Sequence, residues 1–367
     1  MRVHIVDPAA YTPPYDHSLA SALARAGIEV ELITSRFPHG SVPPGNGYEV
    51  RRSFYPGASG IESPAFRRMM RAIEHGPGML GYGRYARNAD VVHYQWLPLP
   101  RLDRRLLAPV HPRVFTMHWR LPERGSGVAR KLARLLERMD SVIAHTHHGS
   151  ARLSEDFGVP PERIEVIPHG AFDYLTRLPD EQPLPMELRG ASDPVILAFG
   201  LIRPYKGTEV LLEAFGRLSG AELWVVGRPM QPTSELHRLA DRAPGRVRFL
   251  ERFIDDAEIP AIMRRADVVA LPYLNIEQSG VLHTALAFGR PLVLSDVGGF
   301  PEVAELGAAR LTPAGDADAL AGTLSELLAD PAERERLATG AAAAAAGPYS
   351  WDAIARSTLS LYRRLLG

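Results

Sequence analysis

The chain has 367 residues, of which 46% are hydrophobic and 23% charged, and it contains 32 glycines and 32 prolines. This length exceeds what one hydrophobic core usually supports, so we expect two globular domains and no extended disorder. Cysteine is absent, which excludes disulfides, thiolate zinc sites and a cysteine nucleophile and makes a reducing compartment the default. The 42 Lys and Arg residues balance the 42 Asp and Glu residues, so the net charge is zero.

The amino terminus does not have the pattern of a targeting signal. Its apolar run from Val3 to Val6 ends at Asp7 and Pro8, and no basic region precedes a long apolar stretch. No window reaches the roughly 18 to 20 apolar residues that a membrane-spanning helix needs. We therefore expect a cytoplasmic protein, with any contact to the inner face of the membrane being peripheral.

The first half of the chain alternates apolar runs with helical periods. The runs Val3–Val6 and Val30–Ile33 flank a helical segment at 18–26 and predict a βαβ unit, which requires a parallel sheet covered by helices. Further strands are predicted at Val91–Tyr94, Val114–Met117, Ser141–Ala144 and Ile164–Ile167. This series indicates one doubly wound α/β domain.

A second α/β series follows a polar, proline-bearing stretch at 173–193, which is typical of an interdomain linker. Its strands are predicted at Val195–Phe199, Glu222–Val226, Arg246–Leu250, Val268–Leu271 and Pro291–Leu294. The alanine run 341–346 predicts a surface helix. Ser350 is a candidate cap for a last helix that reaches Leu366.

Several stretches of the chain carry a family signature. They are VIPHG at 166–170, FGLIRPYKG at 199–207, EQSGVL at 277–282, AFGRP at 287–291 and SDVGGFPE at 295–302. In this order and at these separations they resemble glycosyltransferase family 4, a resemblance that spans nearly the whole chain. It implies a GT-B fold, in which two Rossmann-like domains face each other across a cleft.

The resemblance also implies the domain limits. We expect an acceptor-side domain at 1–175, a nucleotide-sugar-binding domain at 176–349, and a carboxyl-terminal helix within 350–367 that packs back on the first domain. The activity implied is a retaining glycosyl transfer from a nucleotide diphosphate sugar, a UDP-sugar or GDP-mannose, to a hydroxyl of a glycan, a lipid-linked acceptor or a small molecule.

The turn at 199–207 is the candidate diphosphate site. A leaving diphosphate gains charge as the glycosidic bond breaks, and fixed cations together with helix-terminal amides stabilise it. Arg203 and Lys206 follow a strand end beside Gly200. A cation at a helix start is unfavourable unless an anion binds there. The family's arginine directly follows the glycine, where this chain has Leu201, so Arg203 is the candidate to replace it.

The second candidate donor segment begins at Glu277. The resemblance assigns Glu277 to the donor sugar and places Thr284 where the family has a second glutamate for the ribose. The amides of Gly280, Val281 and Leu282, after Ser279, would face the donor from a helix start. An exposed loop acid is the alternative for Glu277.

In the first half, His118 ends a predicted strand and resembles the family's donor-sugar histidine; a structural histidine is the alternative. The loop at 7–17 has YTPPYD at 11–16 where the family usually has a Gly-Gly pair, and Tyr15, Asp16 and His17 are candidate acceptor contacts. Gln95 and Trp96, at the end of another predicted strand, are candidates to line the acceptor-binding side of the cleft. The cluster His145, His147 and His148 has no acidic ligand nearby in sequence, so we expect a structural or solvent role and no metal site.

Recognised catalytic motifs of other classes are missing. The chain has no Ser-His-Asp pattern, no His-Glu-x-x-His and no Walker loop, which argues against hydrolases and nucleoside triphosphatases. The resemblance implies that Arg and Lys take the place of a divalent ion, so we expect catalysis that needs no metal and no cofactor besides the donor. Two alternatives stay open: a nucleotide-sugar epimerase, and a catalytically silent nucleotide-sugar-binding protein.

The charge balance hides a basic segment. Between Arg67 and Arg138 fifteen Arg or Lys residues face five Asp or Glu residues, an excess of ten positive charges. A helix predicted at 128–138 has Val128, Leu132 and Leu135 on one face, which either packs on its own sheet or contacts a membrane. The segment makes an anionic membrane surface a candidate partner, and nucleic acid is not expected.

Overall fold

The computed structural model describes residues 1–37, 42, 46–118 and 120–367. These residues form two compact units. The first consists of Met1–Gly170 together with Trp351–Gly367, and the second of Ala171–Ser350. Each unit has a parallel sheet with apolar cores against it. No helix in these residues has the length and apolarity required to cross a bilayer.

A parallel sheet forms the centre of the first unit. Its strands are β1 (Arg2–Asp7), β2 (Glu29–Thr34), β3 (Glu49–Arg52), β4 (Val91–Tyr94), β5 (Arg113–Thr116), β6 (Ser141–Ala144) and β7 (Ile164–Val166). Their order is β3-β2-β1-β4-β5-β6-β7, and in the central register Val3 lies between Val30 and Val91. The direction of winding reverses between β1 and β4, which is where doubly wound sheets bind ligands at the strands' carboxyl ends.

Helices cover both faces of this sheet. They are α1 (Pro13–Arg25), α2 (Pro64–Tyr85), α3 (Pro100–Leu106), α4 (Gly127–Leu136) and α5 (His147–Phe157). Met79 of α2, Leu132 of α4 and Phe157 of α5 share one apolar core, whereas Leu19 and Leu23 of α1 belong to the core on the opposite face.

The apolar face of α4 lies inside this core. Leu132, Leu135 and Leu136 are fully buried, and only Val128 is exposed. Packing on its own sheet, the first of the two alternatives for this helix, is therefore what the structure shows.

The second unit repeats the same architecture. Its strands are β8 (Val195–Phe199), β9 (Glu222–Val226), β10 (Arg246–Leu250), β11 (Val268–Leu271), β12 (Leu292–Ser295) and β13 (Ala309–Thr312), in the order β10-β9-β8-β11-β12-β13. Its helices are α6 (Thr208–Phe215), α7 (Ser234–Ala240), α8 (Ile259–Arg265), α9 (Gly280–Ala287), α10 (Phe300–Ala304), α11 (Ala317–Ala329) and α12 (Pro331–Ala346).

The chain then returns to the first unit through α13 (Trp351–Leu366). Ile354 and Tyr362 of α13 are buried in the same core as Leu19 and Leu23 of α1. Arg25 of α1 adds a salt bridge to Asp352, 2.7 Å long, at the exposed edge of this helix pair. The last helix is thus an integral part of the first unit.

The predicted fold class, α/β with two Rossmann-like doubly wound units, is confirmed by both sheets, and each predicted strand is present. The strands β3 and β13 were not predicted. Both are edge strands with exposed residues, so neither contains the apolar run that reveals a strand buried on both faces.

Two segments differ from the expectations. The stretch 173–193 packs on the second unit, because Leu175 and Leu188 are buried in its core. The alanine run belongs to α12 but is not wholly on the surface: Ala341 is 0% exposed. A Cβ on the neighbouring Gly340 would lie 2.3 Å from the Gly307 carbonyl oxygen. Small residues here permit close backbone contact.

Candidate active site

The turn after β8 in the second unit is built on glycines. Gly200 and Gly207 have positive φ angles of 94° and 66°, and between them lies a short 3-10 turn at Pro204–Lys206. A Cβ on Gly207 would lie 1.9 Å from the carbonyl oxygen of Pro272. Glycine is therefore required at Gly207 by both conformation and space. This packing fixes the turn against the loop that follows β11.

Lys206 is an uncompensated, half-buried cation in this turn. A Cβ on Gly200 would lie 2.9 Å from the Lys206 Nζ, so the ammonium reaches back over the start of the turn, 5.2 Å from the centre of the Tyr273 ring. Lys206 forms no ion pair with any residue that the structure describes. Burial, together with the nearby Arg203 charge, lowers the pKa of Lys206 to about 8. The protein holds a positive charge here at a cost, which an anionic ligand would offset.

Arg203 lies at the start of the same 3-10 turn. Its Nε atom is buried and has no hydrogen-bond partner among the described residues. Leu201, at the family's arginine position, is exposed and offers no charge. Arg203 and Lys206 thus lie in one turn, where the Arg203 charge acts on Lys206; its role as the replacement stays a prediction.

The loop after β11 leads into the amino terminus of α9. Glu277 is buried in this loop, and Gly298 packs so closely that a Cβ there would lie 1.9 Å from the Ile276 carbonyl oxygen. Ser279 starts α9, its Oγ lying 3.2 Å from the Tyr273 hydroxyl. The amides of Gly280 and its two successors in the first turn have no carbonyl acceptor within the helix. The positive end of α9 and Lys206 both adjoin Tyr273.

The side chain of Thr284 is not free to donate a hydrogen bond to a ribose. It is buried within α9, and its hydroxyl donates a hydrogen bond of 3.0 Å to the Gly280 carbonyl. Its hydroxyl proton is therefore used inside the helix, and a ribose could meet only the oxygen lone pair. The backbone amides of Gly280, Val281 and Leu282 do not depend on this side chain.

His118 of the first unit lies in an aromatic cage just after β5. The Trp96 ring stacks on it at 5.6 Å, and the Tyr15 ring meets it edge-on at 4.6 Å. Its Nε2 lies 2.8 Å from Gln95 Oε1, and its Nδ1 lies 3.4 Å from His145 Nε2. Both ring nitrogens of His118 therefore already have protein neighbours.

One arrangement of protons satisfies this chain of groups. His145 Nδ1 lies 2.9 Å from the Ile167 carbonyl, so it carries the proton and leaves Nε2 as an acceptor for His118 Nδ1–H. His118 Nε2 must then accept, which requires the Gln95 amide to point its NH2 group inward. The Gln95 Nε2 atom otherwise has no partner, so we assign the flipped amide.

His118, His145 and His93 are neutral at neutral pH. Burial lowers the pKa of His118 well below its usual value, with a further contribution from His145, and lowers that of His145 to about 4. Burial also lowers the pKa of His93 to about 3. His93 lies 2.6 Å from both the Tyr362 and Thr116 hydroxyl oxygens. The network orients His118 without charging it.

The loop after β1 adds a pair of buried carboxyl groups, of which sequence reasoning had singled out only Asp16. The carboxylate of Asp7 accepts hydrogen bonds from the backbone N–H groups of Ala9, Tyr11 and Thr12. Burial raises the pKa of both groups, and more strongly that of Asp16, which also faces the Asp7 charge. Asp16 is therefore the member that keeps a proton.

A cavity of about 580 Å³ lies beside this pair, at the carboxyl ends of β2 and β3. Its polar lining includes Asp16, His17, Thr34, Arg36 and Arg52. Neither arginine forms an ion pair with a described residue. The cavity can therefore receive hydroxyl groups and an anionic group.

Other candidates contribute less. His145 is buried in the network above, whereas His147 and His148 are exposed at the start of α5. No group of three or more His, Asp or Glu side chains in the described part of the chain is arranged to hold a metal ion. One sequence pattern could have predicted the cluster around His118. Gln95, His118 and His145 each follow one of three successive strands, β4, β5 and β6, so they meet at the same edge of the sheet.

Comparison with known proteins agrees with these two units. Residues 15–171 match the family model described as Glycosyltransferase Family 4, and residues 193–330 match the model described as Glycosyl transferases group 1. A D-inositol 3-phosphate glycosyltransferase of Actinosynnema mirum is 29% identical over 376 residues, covering 94% of this chain and 89% of the relative.

Two further comparisons extend this result. An MMP alpha-(1->4)-mannosyltransferase of Mycolicibacterium hassiacum is 28% identical over 257 residues, covering 68% of this chain and 60% of that relative. The structure of Anabaena HepE in complex with UDP and glucose matches over 100% of both chains, with a TM-score of 0.74 and 20% identity, and shows the shared fold. The two family models, one on each unit, show that the chain belongs to the family 4, group 1 glycosyltransferases and is a glycosyltransferase of the GT-B type.

Proposed function

We propose that the protein transfers a sugar from a nucleotide diphosphate sugar, a UDP- or GDP-sugar, to an acceptor hydroxyl with retention of configuration and without a metal ion. The observation that carries this proposal is Lys206. Its ammonium is half-buried on a glycine-built turn, and no described carboxylate balances it. Such a cation is stabilised when an anionic diphosphate binds.

The diphosphate contacts follow from the second unit. Lys206 and Arg203 provide two cations, and the first-turn amides of α9 provide N–H donors at the positive end of a helix. Both sets stabilise the charge that develops on the leaving diphosphate as the bond to the sugar breaks. Fixed cations would thus take the role that a divalent metal has in other transferases.

The proposed sugar contacts are Glu277 and His118. Glu277, buried in the loop before α9, is the proposed acceptor for donor-sugar hydroxyls. His118 is the second contact. Since its ring nitrogens are bonded to Gln95 and His145, a sugar hydroxyl would either replace Gln95 or bind the His118 backbone. The neutral state of His118 fits a hydrogen-bonding role.

The mechanism needs no protein nucleophile. The acceptor hydroxyl attacks the face from which the diphosphate departs, and the departing phosphate oxygen accepts the hydroxyl proton. Rate acceleration then depends on positioning and on electrostatic stabilisation. Asp16 and His17, which line the cavity beside β2 and β3, are the proposed acceptor contacts; the acceptor is a glycan, a lipid-linked molecule or a small molecule.

The donor is tested first. UDP is the leading nucleotide because the Anabaena protein with the same fold was solved with UDP and glucose, and GDP stands beside it. We expect one of UDP, GDP or ADP to raise the melting temperature, since a ligand at one hundred times its Kd stabilises by about 2.7 kcal/mol.

A matched pair of variants makes the test specific for the site. Lys206→Met should remove a charge-assisted contact and weaken nucleotide binding about 10- to 150-fold. Lys131→Met, at an exposed lysine of the first unit, should bind as the wild type does. Equal binding by Lys206→Met and the wild type would remove Lys206 from the site and this proposal with it.

A second candidate function has one observation in its favour. Leu201 offers no charge and the Thr284 hydroxyl is engaged, so the family's arginine and ribose glutamate have no direct equivalents. A nucleotide-sugar-binding protein without turnover would bind the donor but release no nucleotide with any acceptor. An epimerase would convert the donor in the absence of acceptor, whereas a transferase releases nucleotide only when an acceptor is present.

A further inference from the structure

Helix α2 of the first unit exposes an apolar stripe that no part of the described chain covers. Phe66, Met69, Ile73 and Leu80 range from 48% to 61% exposed. Their spacing of three, four and seven residues places them on one face of the helix. Arg84 is eighteen residues, or five helical turns, after Phe66, so it continues the same face.

The opposite face of α2 is firmly anchored, so the stripe is held outward. His75, Met79 and Tyr82 are buried. His75 lies 2.6 Å from the Tyr55 hydroxyl and is also bonded to Asp103 of α3. The exposed stripe is thus a fixed feature of the folded unit, and its exposure requires an explanation, because clustered exposed apolar side chains mark interaction sites.

A basic groove lies next to this helix. A cavity of about 350 Å³ between α3 and α4 is lined, apart from one glycine, entirely by cationic side chains. These are Arg101, Arg104, Arg105, Arg130, Lys131 and Arg134. Helices α2 and α4 pack on the same face of the sheet, and α3 contacts both. The groove and the stripe therefore lie on the solvent side of one helix layer, which we name the α2–α4 face.

The cations of the groove lack acidic partners. None of the six forms an ion pair with a described residue, and the residues outside the described ranges include no Asp or Glu. Asp103, the only acid within α3, is fully buried and accepts a hydrogen bond from the Leu99 N–H. Mutual repulsion of six clustered cations destabilises the fold unless an anionic partner approaches.

We propose that the α2–α4 face docks on the surface of a bilayer rich in anionic phospholipid. The groove supplies the charge complementarity, and the stripe inserts its apolar side chains among the lipids. The stripe favours this partner over a soluble polyanion or RNA, because the exposed aliphatic side chains of Met69, Ile73 and Leu80 gain nothing from phosphates or bases but are buried among lipid chains. Docking is peripheral, and it involves none of the proposed donor contacts, so it can be measured apart from turnover.

Vesicle flotation of the full chain tests this docking. Vesicles of phosphatidylglycerol mixed with phosphatidylcholine are compared with phosphatidylcholine alone, at low salt and at about 0.15 M salt. We expect binding to the anionic vesicles only, weakened by salt. Arg104→Ser with Arg130→Ser should lower the partition coefficient roughly fivefold per cation. Phe66→Ser with Ile73→Ser should weaken binding at both salt concentrations.

Matched controls separate docking from misfolding. Arg242→Ser with Arg356→Ser removes two exposed arginines elsewhere and should bind vesicles as the wild type does. Met186→Ser removes an apolar side chain that is 79% exposed in the second unit and should do the same. All variants change exposed or half-buried side chains, and their melting temperatures identify any that fail to fold.

Three results would overturn the proposal. The first is the absence of binding to anionic vesicles at either salt concentration. The second is equal binding to phosphatidylcholine alone. The third is binding to single-stranded RNA as tight as to vesicles together with no effect of the stripe substitutions, which would assign the α2–α4 face to nucleic acid.

Discussion

Acidification should destabilise the first unit through its buried histidines. Burial lowers the pKa of His93 to about 3, against about 6.5 in an unfolded chain. Above pH 6.5 the ring is neutral in both states and has no effect. As the pH falls below 6.5, His93 is protonated in the unfolded chain but stays neutral in the folded protein. The free energy of unfolding therefore decreases. At about pH 5 the loss from His93 alone is about 2 kcal/mol.

His145 and His17 act in the same direction. The pKa of each is lowered to about 4 by burial, with the Arg52 charge adding to the effect at His17. Each contributes about 2 kcal/mol of lost stability at about pH 5. Three such groups approach the whole stability of an ordinary domain, about 5 to 15 kcal/mol, so we expect unfolding in mild acid.

The assay is urea unfolding between about pH 7.5 and pH 5, for the wild type and two variants. His93→Gln keeps a polar side chain but cannot titrate, so its stability should fall by about 2 kcal/mol less than that of the wild type over this range. Tyr362→Phe removes the hydroxyl next to His93 Nδ1 but leaves the imidazole buried, so it should retain the full acid loss. The same pH dependence in His93→Gln and the wild type would refute the reasoning.

Four further predictions concern the site. The affinity for UDP, measured by calorimetry, should decline up to about tenfold per pH unit above about pH 8. The reason is that UDP binds the ammonium form of Lys206, whose pKa in the free protein is about 8. Lys206→Met should show no such decline. Nucleotide release should continue in excess EDTA, and a complete loss restored by magnesium or manganese would exclude the metal-free mechanism. In urea unfolding, Gly158→Ala should cost about 1 to 2 kcal/mol, because an alanine disfavours the positive φ at this position. Gly207→Ala should cost clearly more, because its Cβ would also lie 1.9 Å from a carbonyl oxygen. Equal costs would show that the turn relaxes. Asp16→Asn should gain stability relative to the wild type as the pH rises from about 5 to 8, since burial raises the pKa of Asp16 and favours its protonated form in the folded protein. A stability difference that does not change over this range would mean that Asp16 is already ionised when folded.

The sequence was sufficient for the architecture because both sheets are parallel. Strands such as Val268–Leu271 are buried on both faces, so they appear as uninterrupted apolar runs. The edge strands Glu49–Arg52 and Ala309–Thr312 escaped this criterion because a strand hydrogen-bonded on one side only tolerates exposed, charged residues.

The candidate site was only partly accessible from sequence. Gly200, Arg203 and Lys206 are close in the chain, and a short turn brings them together, so their common role could be predicted. The partners of His118 could not, because Gln95 and His145 come from other strands and meet it only at the sheet edge. The hydrogen bond of Thr284 to Gly280 also depends on a helical rotamer, which residue identity does not determine.

Surface properties divide in the same way. The excess of ten positive charges between Arg67 and Arg138 is a property of the sequence. Tertiary structure alone decided that α4 turns its leucines into the core, that α2 turns Phe66 and Ile73 outward, and that six cations line one groove. Local periodicity determines which residues share a helix face, whereas the packing of each helix on the sheet determines which face remains in contact with solvent.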